Sequence, residues 1–369
     1  MHVLALIAGI ALLVGVLRDA FETIILPRRV NRRFRFTTLF YRAVWPPWRA
    51  AALACHGGTR ENMLSWFGPF SLLLLLAFWA IGIVAAFGVL QWSAGSALRM
   101  ANSMPHLLDD LYLSGTTFFT LGIGDVVPRD GIAKFLTVSE SGLGFAFLAI
   151  VIGYLPVIYQ AFSRREIAIS MLDARAGSPP SAGELLRRDP GATDQERLIQ
   201  LLAEWERWSA EVLESHLSYP VLAYFRSQHS NQSWLAALTT ILDTSSLVIV
   251  GFDGWCLRQA RLTFAMARHA VVDLAQVFGA REITSTPDRL ADDEFAKLVA
   301  QLERAGIRFT SPDARQELRE LRAMYEPYVT ALAARLAVAL PNWTRAPTLL
   351  DNWERAPWTP REPEHFDGG

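Results

Sequence analysis

The stretch Thr116-Thr117-Phe118-Phe119-Thr120-Leu121-Gly122-Ile123-Gly124-Asp125 decides the fold of this chain. It lies between two long apolar segments, residues 66–92 and residues 132–162. Each segment is long enough to cross the hydrocarbon core of a bilayer, which needs about 20 helical residues. Just before the stretch, Pro105 and several leucines predict a short helix, because proline suits the first turn of a helix. We therefore predict that this region lies in a membrane.

Residues 117–125 carry the pattern Thr-x-x-Thr-x-Gly-x-Gly-Asp. Between two such spans, the pattern resembles the selectivity filter of the potassium-channel superfamily, and the resemblance extends over residues 63–162. In that superfamily, rings of backbone carbonyl oxygens replace the hydration shell of the ion. Glycines at alternate positions allow the backbone angles that this requires. The resemblance implies a filter formed by Thr120, Leu121, Gly122, Ile123 and Gly124, supported at its base by Thr117 and flanked at its outer mouth by Asp125.

Ile123 departs from the pattern of the superfamily, which usually has tyrosine or phenylalanine between the two glycines. The isoleucine keeps the apolar bulk but lacks the ring that normally packs against the pore helix. We expect conduction to survive, because the carbonyl geometry does not need the ring. A non-selective monovalent cation channel is therefore one alternative to a potassium-selective channel.

One chain supplies one filter loop, whereas a complete carbonyl cage needs four. The resemblance thus implies a homotetramer around a central axis. We expect a potassium-selective channel subunit with passive K⁺ permeation, gated by an unidentified stimulus acting through the C-terminal half. The implied partners are the lipid membrane, K⁺ ions and further copies of the chain. No cofactor is expected, no metal other than the permeating K⁺, and no nucleic acid, since the net charge is −1.

A signalling or ligand-binding module, for which the pore acts as a sensor, is an alternative from another functional class. A helical ligand-binding domain would leave few marks in the sequence. No phosphate-binding loop and no nucleophile elbow occurs in the chain. We therefore predict that the protein is not an enzyme.

The membrane topology follows from the arginines. An arginine-rich segment, residues 27–60, separates a first apolar run from the second, and arginine excess places a loop on the cytoplasmic side. The first run, residues 1–17, reaches Leu26 if its charged residues face protein or the interface; a helix lying along the membrane surface is the alternative. Residues 27–60 are either an interfacial helix near anionic lipid or an ordinary cytoplasmic loop. We expect a multi-pass protein of the cell (inner) membrane with its C-terminal half in the cytoplasm.

The fold predicted is an all-α membrane protein. Each subunit has three transmembrane helices, a re-entrant pore helix with its filter, and an α-helical cytoplasmic domain. Residues 234–251 are apolar enough for another span, but Asp243 and several hydroxyl groups favour a buried core helix. The predicted domains are an N-terminal helix with a basic segment (1–62), the pore domain (63–163), the cytoplasmic helical domain (164–353) and a disordered tail (354–369).

The second apolar span of the pore region carries the candidate gating residues. By the spacing of the resembling superfamily, Gly144 is a gating hinge, and Gly153 and Pro156 are further candidates for the hinge or gate. Proline removes a helical hydrogen bond and predicts a kink. Close helix packing is the alternative role of each glycine. Near the proline, Tyr154 and Ile158 are candidates for an inner constriction.

Glu140 is an ionisable residue inside the same span, where such residues are costly and often functional. The sequence leaves two roles open for Glu140, a hydrogen bond behind the filter or a carboxylate that faces the cavity and attracts cations. The two cysteines, Cys55 and Cys256, are too few for a disulfide framework, and we predict that both are buried thiols.

Overall fold

The computed structural model describes residues 2–26, 36–99, 106–188, 195–229, 231–281, 283, 288–307, 309, 313–345 and 351–352. The predicted start of the pore helix at Pro105, the early part of the basic segment and the predicted tail 354–369 lie outside the described residues. The chain divides into two compact units, Met1–Ala161 with Ser218–Phe225, and Phe162–Leu217 with Arg226–Gly369.

The first unit is built from helices and one small pair of strands. Its helices are α1 (His2–Ile24), α2 (Phe36–Leu53), α3 (Gly57–Ser93), α4 (Leu107–Phe118) and α5 (Gly131–Ala176), the last of which continues into the second unit. Its other elements are β1 (Leu98–Arg99), β2 (Val127–Pro128) and a 3₁₀ helix, Pro220–Tyr224.

The second unit is helical in the part that the structure describes. Its helices are α6 (Ala182–Arg188), α7 (Gln195–Ser218), α8 (Trp234–Gly251), α9 (Cys256–Val277), α10 (Asp292–Arg304), α11 (Ala314–Ala323) and α12 (Glu326–Leu336).

Four of the described helices, α1, α3, α5 and α8, are long and apolar enough to cross a membrane. The sequence predicts three spans, whereas four described helices satisfy the criteria of length and composition; the additional helix is α8. In α8, every residue except Ile249 is buried within the protein. The carboxylate of Asp243 in α8 accepts hydrogen bonds from the Tyr325 hydroxyl (2.6 Å) and from Arg289 Nη2 (2.6 Å). Asp243, whose charge argues against a membrane span, thus has its hydrogen-bond partners inside the second unit.

The two helices that flank the glycine stretch are longer than predicted. The sequence predicts spans at residues 65–92 and 132–162, whereas α3 begins at Gly57 and α5 continues to Ala176. At 1.5 Å per residue, α3 is about 55 Å long and exceeds the hydrocarbon core. α5 stops at Gly177, which has a φ of +85° and a backbone N–H that donates to the Asp173 carbonyl (2.9 Å). A glycine in the left-handed conformation is a common helix terminator.

The N-terminal helix α1 packs antiparallel to α3 around one buried carboxylate. Asp19 of α1 accepts hydrogen bonds from Trp79 Nε1 of α3 (2.9 Å) and from the backbone N–H (3.0 Å) and hydroxyl (2.6 Å) of Thr37 in α2. Nearer the N-terminus, Val16 lies against Gly82 of α3, where an added Cβ would be 2.9 Å from it. Asp19 therefore faces protein, which is the condition under which the first apolar run extends beyond residue 17.

Helix α2 forms in the segment for which the sequence left a helix and a loop open. It covers the N-terminal part of α3, where Trp48 Nε1 donates to the Met63 carbonyl (2.9 Å). Tyr41 and Trp45 are buried. Cys55, which follows α2, is only half-buried, so the prediction of two buried thiols is wrong for Cys55 and confirmed for Cys256.

We expect Asp19→Ala to lower the free energy of unfolding of the first unit by about 1–3 kcal/mol, because the Trp79 N–H and the Thr37 hydroxyl lose their acceptor in a buried site. Arg18→Ala is the matched control. The Arg18 side chain is half-exposed, and its ion pair with Glu22 (2.9 Å) is an exposed pair of the kind that contributes about 0–1 kcal/mol. Thermal unfolding of the purified full chain, followed by tryptophan fluorescence, measures both. Equal losses in the two variants would contradict the role given to Asp19.

Candidate functional site

The short helix before the glycine stretch is α4, and α3 holds it. At its start, the His106 backbone N–H donates to the Asp109 carboxylate (3.0 Å). Gly88 of α3 allows close approach, since an added Cβ would lie 2.6 Å from the Leu111 side chain. One turn along, the Ser114 hydroxyl donates to the Val84 carbonyl of α3 (2.7 Å). These contacts fix the position from which the glycine stretch begins.

Every second residue of the glycine stretch has a positive φ. The values are 57° at Thr120, 57° at Gly122 and 84° at Gly124. Glycine reaches this region freely, whereas a non-glycine residue there costs about 1–3 kcal/mol and marks a strained site. The strain at Thr120 lies at the junction between α4 and the glycine stretch.

Hydrogen bonds tie the start of the stretch back to the end of α4. The Thr116 carbonyl accepts the N–H of Leu121 (2.7 Å) and of Gly122 (3.3 Å), and the Thr117 carbonyl accepts the N–H of Thr120 (3.1 Å). Among the hydrogen bonds of the described residues, none uses a carbonyl oxygen of residues 120–124 as the acceptor. The stretch is therefore held by its donors while its acceptors stay open.

The side chains of the stretch are exposed in the single chain. Phe119, Leu121 and Ile123 expose 66%, 63% and 59% of their surface. Neighbouring exposed apolar residues of this kind are typical of surfaces that contact another protein, a membrane or a ligand.

The outer end of the stretch is held by a hydrogen bond that the sequence analysis missed. The Tyr112 hydroxyl of α4 donates to Asp125 Oδ2 (3.0 Å), and the Val126 backbone N–H donates to Asp125 Oδ1 (3.0 Å). Strand β2 then pairs antiparallel with β1, and Val126 is buried with Leu98 and Leu113. The only sequence signal for the bond is a hydroxyl-bearing aromatic residue in the helix that precedes the aspartate.

Glu140 lies behind α4 and is buried in the subunit. The structure joins its carboxyl oxygen Oε1 to the Ser114 hydroxyl by a short hydrogen bond. The sequence left two roles open for Glu140, and a hydrogen bond to α4 is the contact that the first of them requires; the role itself remains a prediction. Ser114 has one hydroxyl proton, and the Val84 carbonyl is also within range of it. The Ser114 hydroxyl is the donor in both contacts, so its single proton is shared between the two acceptor oxygens.

The candidate gating residues have different surroundings in the structure. An added Cβ on Gly144 would be 2.4 Å from the Phe118 carbonyl, so this glycine lets α5 pass close to the end of α4. Gly153 has open space on its Cβ side, and Pro156 lies inside α5, which is continuous from Gly131 to Ala176. The hinge and gate roles of these residues remain predictions.

Tyr154 and Ile158 do not line a surface of the chain. Both are buried, and the Tyr154 ring packs at 5.9 Å from the ring of Tyr219. The prediction that these two side chains form an inner constriction is therefore wrong, because each faces protein of its own subunit. On the same helix, Ile152, Val157 and Tyr159 are exposed.

Comparison with known proteins gives an independent view of the region. Residues 72–160 match the family model described as "Ion channel". The chain is 26% identical over 188 residues to the uncharacterized membrane protein YdjJ of Bacillus subtilis (strain 168), an alignment that covers 50% of this chain and 54% of that protein. The chain thus spans about half the length of this relative. No solved structure matches.

The alignment with a second relative covers a larger share of that protein's length. The chain is 30% identical over 109 residues to protein LctB of Geobacillus stearothermophilus, and the alignment covers 28% of this chain and 78% of that protein. The apolar helices of the structure and the membrane-protein relative make this a multi-pass membrane protein. The matched family model and the coverage of protein LctB together identify the chain as a member of the ion channel family.

Proposed function

We propose that this protein is one subunit of a tetrameric, potassium-selective channel, and that residues 120–124 form its filter. The observation that carries the proposal is the backbone of this stretch, which has positive φ at alternate residues and carbonyl oxygens without an internal donor. A filter requires successive carbonyl oxygens to turn toward one axis, and residues with positive φ at alternate positions provide the backbone angles for this. Carbonyl oxygens gathered on one side replace the hydration shell of K⁺.

Two features of the single chain support a tetramer, an incomplete carbonyl cage and exposed apolar surfaces. A single stretch offers one carbonyl per level, whereas the cage needs four. The apolar side chains of Leu121 and Ile123 are exposed, and so is a long apolar surface of α5. Further copies of the chain around an axis cover these surfaces and complete the cage. The exposed apolar residues of α5 above its midpoint include Ile132, Phe135, Val138, Phe145 and Leu148.

Other members of the superfamily usually have an aromatic ring at the position of Ile123, and that ring braces the filter. In this chain, two hydrogen bonds supply the bracing instead. Tyr112 holds Asp125 at the outer end, and Ser114 joins α4 to Glu140 of α5. Both bonds run from α4, which α3 already holds through Val84. We assign Glu140 to support of the filter, and Thr117 to its base.

Ile123 favours one alternative function, a non-selective monovalent cation channel. Its side chain is exposed and is held neither by a ring contact nor by a hydroxyl bond. A filter whose middle is braced less tightly discriminates less strictly between K⁺ and Na⁺. For the signalling-module alternative, the described residues offer no group of three His, Cys, Asp or Glu that could hold a metal ion.

We place the C-terminal unit in the cytoplasm and the protein in the inner membrane. Arg42, Arg49 and Arg60 lie on α2 and at the start of α3, and Arg164 and Arg165 follow the apolar part of α5. These arginines put the same side of both spans in the cytoplasm. The permeating K⁺ is the only ion that the proposal needs, and the C-terminal unit is assigned to gating.

Bi-ionic recordings test the selectivity. With K⁺ on one side of a planar bilayer and Na⁺ on the other, we expect a reversal potential displaced from zero by more than about 59 mV, which is the value for a tenfold ratio of permeabilities of a monovalent ion. Ile123→Tyr is expected to increase the displacement, because the ring restores packing beside the filter. A reversal potential near zero in the unaltered protein would reject potassium selectivity and support the non-selective channel. Absence of any flux in liposomes would reject both.

Substitutions of Glu140 test its role behind the filter. The amide oxygen of a glutamine at this position still accepts from the Ser114 hydroxyl, so Glu140→Gln is expected to keep K⁺ flux within about twofold. Glu140→Ala removes one partner of a buried hydroxyl and is expected to reduce flux by about 5- to 150-fold, as a loss of about 1–3 kcal/mol implies. Flux of K⁺ into liposomes that contain the purified protein measures both. If Glu140→Gln is as impaired as Glu140→Ala, the carboxylate charge is what matters and the cavity role is favoured.

A further inference from the structure

The chain returns once from the second unit to the first. After α7, residues Ser218–Phe225 belong to the first unit, and the chain then continues to α8 in the second. We call residues 218–225 the insert. Its two ends are covalently continuous with the second unit, while the insert itself belongs to the first unit.

The insert is buried despite being short. From Val221 to Phe225, the side chains of the insert are nearly inaccessible to solvent. Connections between helices normally run over the surface of a protein. A buried connection of apolar and aromatic residues therefore packs against a specific surface of the first unit. We call this surface the seat; it is formed by α2, α3 and α5.

One side of the seat is formed by α2 and α3. The Tyr224 ring stacks on Tyr41 of α2, with centroids 5.2 Å apart and planes at 3°. It also lies 5.0 Å from the ring of Trp45 and 5.2 Å from that of Phe67 in α3. Next to Phe67, Gly68 admits the insert, since an added Cβ would be 2.7 Å from the Phe225 ring and 2.9 Å from the Tyr224 carbonyl.

The other side of the seat is α5, on either side of Pro156. The Tyr219 ring lies 5.9 Å from the Tyr154 ring, and the Phe225 ring lies 6.4 Å from the Tyr159 ring. The insert therefore touches α5 with both of its ends while its middle is fixed on α2 and α3. In this part of α5, Pro156 removes a backbone hydrogen bond and lowers the cost of bending.

We propose that the insert is the element through which the C-terminal unit sets the open–closed equilibrium of the pore. It does so by holding residues 154–159 of α5 against α2 and α3, and the proposal rests on the proposed function. A ligand or force that moves α7 or α8 pulls on the insert through the chain itself, without needing any other contact. Tyr219 and Tyr154 are thus positioning residues for the gate, and they explain why Tyr154 faces protein instead of the ion path.

Single-channel recordings of the full chain in planar bilayers test the pair. Tyr219→Ala and Tyr154→Ala are each expected to change the ratio of open to closed time at least fivefold, and the double variant no more than either alone, because they remove the same contact. Single-channel conductance and reversal potential are expected to stay unchanged, since the filter is not touched. Additive effects of the two substitutions, or an unchanged ratio, would overturn the proposal.

A glycine pair on α3 provides the matched control. Gly68→Val displaces the insert without altering any aromatic residue, and it is expected to reproduce the change in the open–closed ratio. Gly82→Val introduces the same side chain into the same helix, but its Cβ lies 2.9 Å from Val16 of α1, away from the insert. We expect Gly82→Val to leave the ratio within twofold of the unaltered protein. Equal effects of the two substitutions would assign the change to general damage to α3.

Amide hydrogen exchange separates a failure of this proposal from a failure of the proposed function. In Tyr219→Ala, protection is expected to fall at least tenfold in residues 150–161 and to stay unchanged in α4. Unaltered protein that conducts no ions would reject the proposed function, and the control of a pore with it, whatever the exchange shows. Unaltered protein that conducts, together with unchanged exchange in Tyr219→Ala, would reject the insert alone.

Discussion

The structure of the first unit depends on one constraint, that a polar group removed from water needs a partner. Asp19 meets it with three donors from α2 and α3, and Glu140 meets it with the Ser114 hydroxyl. These partners come from different helices, so each buried polar group also fixes the position of one helix against another. The carbonyl oxygens of residues 120–124 stand apart, because the described chain offers them no donor. These open acceptors are the observation on which the proposed cation site rests.

Close packing of α4 against α3 and α5 determines where the glycine stretch lies. Helix α4 is set on α3 at Gly88 and on α5 at Gly144, where a Cβ would collide with Leu111 and with the Phe118 carbonyl. The stretch is then tied at both ends, by the Thr116 carbonyl at its base and by Tyr112 at its outer end. Strain at Thr120 persists because these contacts determine the conformation on either side of it. The backbone of the stretch is thus held at both ends, which is what the proposed filter requires.

The second unit satisfies the same constraint within itself. Its most apolar helix, α8, contains Asp243, which Arg289 and Tyr325 neutralise and bond. Burial and the nearby Asp243 carboxylate raise the pKa of Tyr325, so the tyrosine stays a donor. The Arg289 guanidinium also lies 5.8 Å from the Trp343 ring. Hydropathy alone therefore does not distinguish α8, an apolar helix whose single acid is buried and bonded, from a helix that spans a membrane.

The sequence by itself determined the features that depend on local chemistry. Alternate glycines at positions 122 and 124 predict a backbone with positive φ, and long apolar runs predict α1, α3 and α5 as membrane helices. Partners distant in sequence were decided only by the tertiary structure. Nothing in the chain pairs Tyr112 with Asp125 or Ser114 with Glu140 until α3 sets the position of α4. The burial of Tyr154 likewise depends on Tyr219, which lies 65 positions away and returns to α5 through the insert. Local pattern fixes which residues form a helix, whereas the direction in which a side chain faces depends on contacts that form only when the chain has folded.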